Sequence, residues 1–337
     1  MGDLKLGLSV GYWGAQPPPG FGVELAQEAE RLGYDSVWSA EAYGSDAFTP
    51  LAWIGARTSR IKLGTGIVQL SARTPAAVAM TAVTLDHLTG GRLILGLGVS
   101  GPQVVEGWYG MPFPKPLART REYVSIIRKA LARAEPVTND GPHYPLPYPG
   151  GTGLGKPLKL IVHPLRADLP IYIAAEGQRN VALATEIADG WLPIFYSPYR
   201  DEIYADALRG RAPGFDIACP VPVVVADSVE EALILPKMYL SFYIGGMGAP
   251  TMNFHFDVIS RFGFEDEAQH VRKLFLEGRR EEAARAVPDA LADETSLCGP
   301  PERIKERLQA WIDSPVTTLI AGTQDARALK VLADALG

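Results

Sequence analysis

The chain has 337 residues, 47% of them hydrophobic and 21% charged, with a formal net charge of −6. That length suits a barrel of roughly 250 residues with insertions, and the composition is that of a water-soluble protein with a large core. The acidic balance argues against nucleic acid or an anionic membrane surface as a partner.

In chain order, short apolar or β-branched runs alternate with helical patterns. Residues 4–10 read as the first strand. Residues 21–32 follow as a helix, with Leu25, Ala29 and Leu32 spaced along one face, and Gly33 stops it. Residues 36–39 form a second strand and 48–58 a second helix. The third strand spans 61–68. Pro75 then opens a helix to about Leu88, which Gly90 and Gly91 end. Residues 92–98 are a fourth strand, apolar throughout, as a strand covered on both faces should be.

An irregular stretch follows at 100–116, then a helix at 117–133. Residues 136–170 are rich in Gly and Pro and too long for an ordinary connection, so they read as an insertion that has room for a hairpin. Strands are expected at 171–174, 191–195, 217–225 and 316–321, with helices at 180–188, 300–312 and 325–336. A second insertion, mostly helical and broken at the glycines 245–248, covers 236–291. Eight strand–helix units suggest a parallel sheet with right-handed crossovers, and the count of eight favours a (β/α)8 TIM barrel over an open doubly wound sheet.

Cys219 and Cys298 match no metal-ligand spacing and read as reduced, buried thiols, which suits the cytoplasm. The first residues lack the basic-then-apolar pattern of a secretory signal, and no apolar run approaches the ~20 residues of a membrane span. The five histidines form no metal-binding pair, so no metal is expected.

Three strand ends stand out. Gly96-Leu97-Gly98-Val99-Ser100-Gly101 has dinucleotide-loop spacing, yet Gly107, Gly110 and three prolines follow where a long helix would be needed. It reads instead as backbone approaching a flat ligand, or as a flexible loop. Ala174-Ala175-Glu176-Gly177-Gln178-Arg179-Asn180 takes a strand straight into a helix. Its free amides beside Arg179 offer an anion site; the alternative is a plain tight turn. Glu41 ends the second strand, at the rim where barrel enzymes carry catalytic groups; otherwise it is a helix cap or surface acid. Aromatics near the strand ends, Tyr12 and Trp13 among them, serve as a pocket wall or as rim packing. Lys156, Lys159 and Arg166 in the first insertion read as a solvated loop or as contacts to an acidic ligand tail.

Four segments carry a resemblance: residues 33–38 (GYDSVW), 60–67 (RIKLGTGI), 85–98 (LDHLTGGRLILGLG) and 188–191 (ADGW). In this order they resemble the luciferase-like monooxygenase superfamily, and most of all its coenzyme F420-dependent branch, which includes methylenetetrahydromethanopterin reductase. The likeness runs from the first strand to the last. It implies a (β/α)8 barrel with the cofactor across the strand C-termini, and a non-prolyl cis peptide between Gly66 and Ile67 behind the ring. It implies that Gly98, Val99 and Ser100 border the ring and that Ala175, Glu176, Gly177, Gln178 and Arg179 lie on the phosphate side. Glu41 falls where relatives often carry an acid/base histidine. Gly101 falls where some carry a catalytic glutamate, with Glu106 nearby.

The function so implied is hydride transfer between the deazaflavin C5 of coenzyme F420 and a small organic substrate, with Glu41 handling the proton. The same fold would also serve an FMN-dependent monooxygenase fed with reduced flavin and O2, or a non-catalytic flavin-binding protein. A cytoplasmic homodimer or larger homo-oligomer, with a small-molecule substrate and no nucleic-acid or membrane partner, is expected.

Overall fold

The computed structural model describes residues 4–248 and 253–337; residues 1–3, in the N-terminal segment, and 249–252, in the second expected insertion, lie outside them. The elements are β1 (Lys5–Gly11), α1 (Val23–Arg31), β2 (Ser36–Ser39), α2 (Phe48–Gly55), β3 (Lys62–Thr65), β4 (Val68–Gln69), α3 (Pro75–Leu88), β5 (Leu93–Gly98), α4 (Pro102–Gly107), α5 (Pro116–Ala132), β6 (Ile171–Ala174), α6 (Gln178–Ile187) and β7 (Gly190–Leu192). After these come β8 (Asp216–Val225), α7 (Val229–Ala232), α8 (Ile234–Gly245), α9 (Phe254–Arg261), α10 (Glu265–Leu276), α11 (Arg280–Ala286), α12 (Asp289–Glu294), β9 (Leu297–Gly299), α13 (Pro301–Asp313), β10 (Thr318–Gly322) and α14 (Ala326–Leu336).

The strands pair in parallel in the order β10-β1-β2-β3-β5-β6-β7-β8, and β10 pairs back onto β8. That contact closes an eight-stave (β/α)8 barrel, with β4 continuing the β3 stave alongside β5. Closure settles the choice against an open sheet. The third expected strand, 61–68, is in two pieces because the chain turns at Gly66 and Ile67, whose peptide bond is cis. The expected strand at 191–195 stops at Leu192, before Pro193, and the helix at 48–58 stops at Gly55.

Two cores sit on either side of the barrel wall. Trp38, Ile94, Tyr172, Leu192, Ala218 and Ile320 fill the interior. Space there is tight: a Cβ on Gly64 would stand 2.2 Å from Cε3 of Trp38, and one on Gly96 would stand 1.9 Å from the Thr65 carbonyl oxygen. The larger core, including Leu8, Val37, Leu63, Leu95 and Ile217, lies between strands and outer helices. Helix starts follow local rules. Pro75 takes the first position of α3 while Thr74 Oγ1 accepts from the Ala77 N–H at 3.3 Å. Asp325 caps α14 by accepting from the Arg327 N–H at 2.8 Å.

At the N-terminal end of the barrel a carboxylate is buried. Asp216 Oδ2 meets Lys5 Nζ at 2.9 Å and accepts from the Tyr172 hydroxyl at 2.7 Å, while Thr318 Oγ1 donates to Oδ1 at 2.9 Å. Burial alone would raise its pKa. Lys5, Thr317 and Tyr172 outweigh that and hold it below the ordinary aspartate range.

Residues 136–170 form no regular strand; the antiparallel bridges Val137 to Leu158 and Asn139 to Leu146 stand where a hairpin was expected. Glu122 of α5 ties this segment down, its Oε2 accepting from the N–H groups of His143 and Tyr144, each at 3.1 Å. The stretch at 100–116 carries the short helix α4. Helices α8 to α12 build a separate core from Leu240, Ile244, Val258, Val271, Leu274 and Leu291, which Phe195 joins. The strand β9, unforeseen in sequence, extends this side by pairing with the outer half of β8. Cys219 and Cys298 are free and buried. Among the described residues no helix is long and apolar enough to cross a membrane.

Candidate active site

A cavity of about 980 Å³ fills the barrel mouth at the C-terminal strand ends. This is the upper part of the range in which small-molecule sites fall. Trp38, Leu192 and Ile320 reach it from the interior, and Gly66, Ile67 and Ala174 form one wall. A second wall is the end of β1 at Gly11 and Tyr12, the upper half of β8 from Pro220 to Val225, and the loop from Gly322 to Asp325. Helix α8 closes a third side with Leu235, Pro236, Tyr239, Phe242 and Tyr243.

The chemistry of this lining is backbone, apolar surface and hydroxyl. Burial raises the Tyr12 phenol, with Tyr43 adding to it. Burial, then Tyr12, pushes Tyr243 up to about 12. Both phenols therefore keep their protons at neutral pH and act as hydrogen-bond donors.

The strand ends at Ile67, Gly98 and Ala174 converge. A Cβ placed on Gly98 would lie 2.9 Å from Ile67 Cδ1 and 3.4 Å from the Ala174 Cβ. Ile67 thus lies against the bare backbone of β5 beside the end of β6. Beyond Gly98, Val99 packs on the main core, Ser100 takes a left-handed φ of 60°, and Gly101 precedes α4.

The loop after β6 is held from two directions. Ala175 presents its carbonyl to Trp191 Nε1 at 2.8 Å. Glu176 Oε1 meets His255 Nδ1 at 2.6 Å, and Arg261 Nη2 donates to the Glu176 carbonyl at 2.9 Å, so α9 braces the loop. Glu176 Oε2 is buried without a hydrogen-bond partner. Gly177 then starts α6 with no side chain capping its amides, which leaves a helix start suited to an anion. Gln178 Nε2 donates to the Ile203 carbonyl at 3.1 Å, and Arg179 is exposed in the first turn.

Glu41 is buried at the rim, just past the end of β2. It is absent from the cavity lining, although its neighbours Ser39 and Ala40 belong to it. Oε1 accepts from the Gln69 N–H at 2.9 Å and from Arg73 Nη1 at 2.8 Å. Oε2 accepts from the Ala47 N–H at 3.1 Å and from the same nitrogen at 2.9 Å. Three donors make these four contacts, so both carboxylate oxygens are already engaged within the rim. Arg166 is likewise spent elsewhere, paired with Asp86 at 2.7 Å near the start of β5, the far end of the barrel. Lys159 donates to the Ala134 carbonyl at 2.9 Å.

The family model for luciferase-like monooxygenases matches residues 7–318. The chain belongs to the luciferase-like monooxygenase family. A Mycobacterium tuberculosis (strain ATCC 25618 / H37Rv) relative, named "Putative coenzyme F420-dependent oxidoreductase Rv3520c", is 52% identical over 98% of each chain. The 5,10-methylenetetrahydromethanopterin reductase of Methanolobus tindarius is 30% identical over 88% of each. Among solved structures, the coenzyme F420-dependent tetrahydromethanopterin reductase of Methanopyrus kandleri superposes with a TM-score of 0.80, covering 99% of this chain and 98% of that one at 22% identity. At that identity the likeness shows the shared fold.

Within this luciferase-like barrel, sequence reasoning missed the tyrosines of α8 and the pairing of His255 with Glu176. Tyr239, Phe242 and Tyr243 of α8 share one helix face by their i, i+3, i+4 spacing, a mark that ordinary core packing leaves as well. His255 belongs to no metal-spaced pair in the sequence, and its partner lies 79 residues away.

Proposed function

We propose that this luciferase-like protein is an oxidoreductase that passes a hydride between coenzyme F420 and a small organic molecule in the mouth cavity. The observation that carries the reading is the cavity itself: a large, mainly apolar space at the strand C-termini, with Gly66, Ile67 and Ala174 in one wall. The 52% identical relative whose name includes coenzyme F420 supports the choice of cofactor.

The residues fit a flat, phosphate-bearing group. At Gly66 only the Trp38 ring comes within 4 Å of where a Cβ would stand, at 3.6 Å, so this wall is flat and open. Gly177 has nothing within 4 Å of its would-be Cβ, leaving the start of α6 accessible.

In this reading Gly66 and Ile67 of the cavity wall hold the ring, Gly98 backs Ile67, and Val99, Ser100, Ala175, Glu176, Gly177, Gln178 and Arg179, which lie outside the cavity lining, meet the cofactor where it runs on toward the start of α6 with its phosphate. When bound, coenzyme F420 supplies a two-electron hydride carrier at its deazaflavin C5. Tyr12 and Tyr243 orient an oxygen or nitrogen of the substrate by donating to it. Helix α8 keeps water from the reacting face. Glu41 positions the rim by holding Arg73 and two backbone amides.

Titration of the purified apo-protein with F420 and with FMN, followed by absorbance, tests the cofactor. Tight F420 binding, and oxidation of reduced F420 without oxygen uptake when an acceptor is supplied, are expected. Binding of FMN alone, with oxygen consumed by the reduced complex, overturns the proposal.

A further inference from the structure

The part of the cavity away from the Gly66 wall holds no group that would neutralise an anion. Among the described residues its lining contains no Lys, Arg or His, and Asp325 is its one carboxylate. Residues 249–252 add no basic side chain by sequence. Asp325 is itself already answered: Arg327 Nη2 lies 2.7 Å from Oδ2, and the Arg327 N–H donates to Oδ1 at 2.8 Å. The arginine at the rim, Arg73, is paired with Glu41.

What remains is apolar and hydroxylic. Pro222, Val224, Leu235 and Phe242 supply surface for an apolar body, while Tyr12 and Thr323 supply donors. A carboxylate or phosphate entering here would give up its hydration without a counter-charge. A neutral molecule would bury apolar area and still satisfy one oxygen.

We infer that the substrate of this cavity is a neutral, mainly apolar molecule bearing a single carbonyl or hydroxyl oxygen, and that carboxylated and phosphorylated compounds are rejected. The word substrate rests on the proposed F420 function; the charge selectivity is a property of the cavity alone.

The test is equilibrium binding of three probes with one skeleton: 4-phenylbutan-2-one, 4-phenylbutanoate and (3-phenylpropyl)trimethylammonium. Calorimetry and tryptophan fluorescence, to which Trp38 reports, are run on the protein with and without F420. The ketone is expected to bind on the order of a hundredfold tighter than the carboxylate at neutral pH. The gap closes as pH falls and the probe acid becomes neutral. The Gln324→Arg variant, at an exposed loop position lining the cavity, is expected to bring the difference below about tenfold. Carboxylate or ammonium binding as tight as the ketone overturns the inference, as does failure of the ketone to bind at millimolar concentration. If F420 does not bind but the neutral preference persists, the cofactor assignment falls and the charge selectivity stands. If F420 binds and the preference is missing, the reverse holds.

Discussion

Both carboxylate oxygens of Glu41 lie within hydrogen-bond distance of one nitrogen of Arg73, Nη1, at 2.8 and 2.9 Å. The same carboxylate holds the amides of Ala47 and Gln69, so one side chain joins the approach to α2 with the β4 segment. Gln69 returns the contact by donating from Nε2 to the Ala42 carbonyl at 2.8 Å. Glu41 thereby sets the shape of the rim next to Gly66 and Ile67.

Replacing it by glutamine removes an acceptor and leaves Arg73 with Asp46 at 3.9 Å as its remaining acid. Because Arg73 is partly exposed, Glu41→Gln is expected to cost about 2 kcal/mol of stability in urea denaturation. The pH profile of F420-linked turnover keeps its shape in this variant. Loss of one limb of the profile would restore Glu41 to an acid/base role.

Trp38 has no room for a larger neighbour. A Cβ on Gly64 falls 2.2 Å from its ring, and the ring is buried against Tyr172, centroid to centroid 5.9 Å. Gly64→Ala therefore forces the indole upward or the strands apart. A loss of about 3 kcal/mol is expected, with a shift in tryptophan emission. An unchanged urea midpoint and spectrum would contradict the packing described.

The Asp216 network gives the barrel a defined acid response. Its carboxyl is held below the unfolded value of about 3.9, so its contribution is fully present above that pH and is lost as pH falls through the folded value. Asp216→Asn is expected to flatten the fall in stability below about pH 4. At neutral pH it costs about 2 kcal/mol, since Lys5 is partly exposed and screened. Urea midpoints across acid and neutral pH, for both proteins, decide this.

His255 holds Glu176 while its ring packs edge-on against Tyr243 at 4.8 Å and Phe195 at 5.8 Å. His255→Ala removes this brace from the loop that precedes α6. F420 affinity is expected to fall about tenfold, with smaller change in turnover at saturating cofactor, because positioning rather than chemistry is lost. A binding titration beside steady-state rates separates the two; a fall in turnover with unchanged affinity would place His255 in the chemistry instead.

The strand–helix alternation, the helix stops at Gly33 and Gly90, and the glycine-bearing ends near residues 98 and 177 were legible because each is written in residues a few positions apart; Gly66 was marked by family resemblance. A strand needs apolar neighbours and a helix needs a period, and both are local. The barrel's closure, the division of the third stave at Gly66, and the three-residue strand β9 were not legible, since each depends on a partner strand. The same holds for the side chains. Glu41 could be placed at a strand end from sequence, but its capture by Arg73, 32 residues on, could not. Nor could the meeting of Glu176 with His255, or of Tyr243 with the mouth of the barrel. Sequence determined an eightfold strand–helix alternation with backbone-rich strand ends. Only the closed tertiary structure decided which charges cancel one another and left the cavity neutral, because ring closure brings together residues that no local period relates.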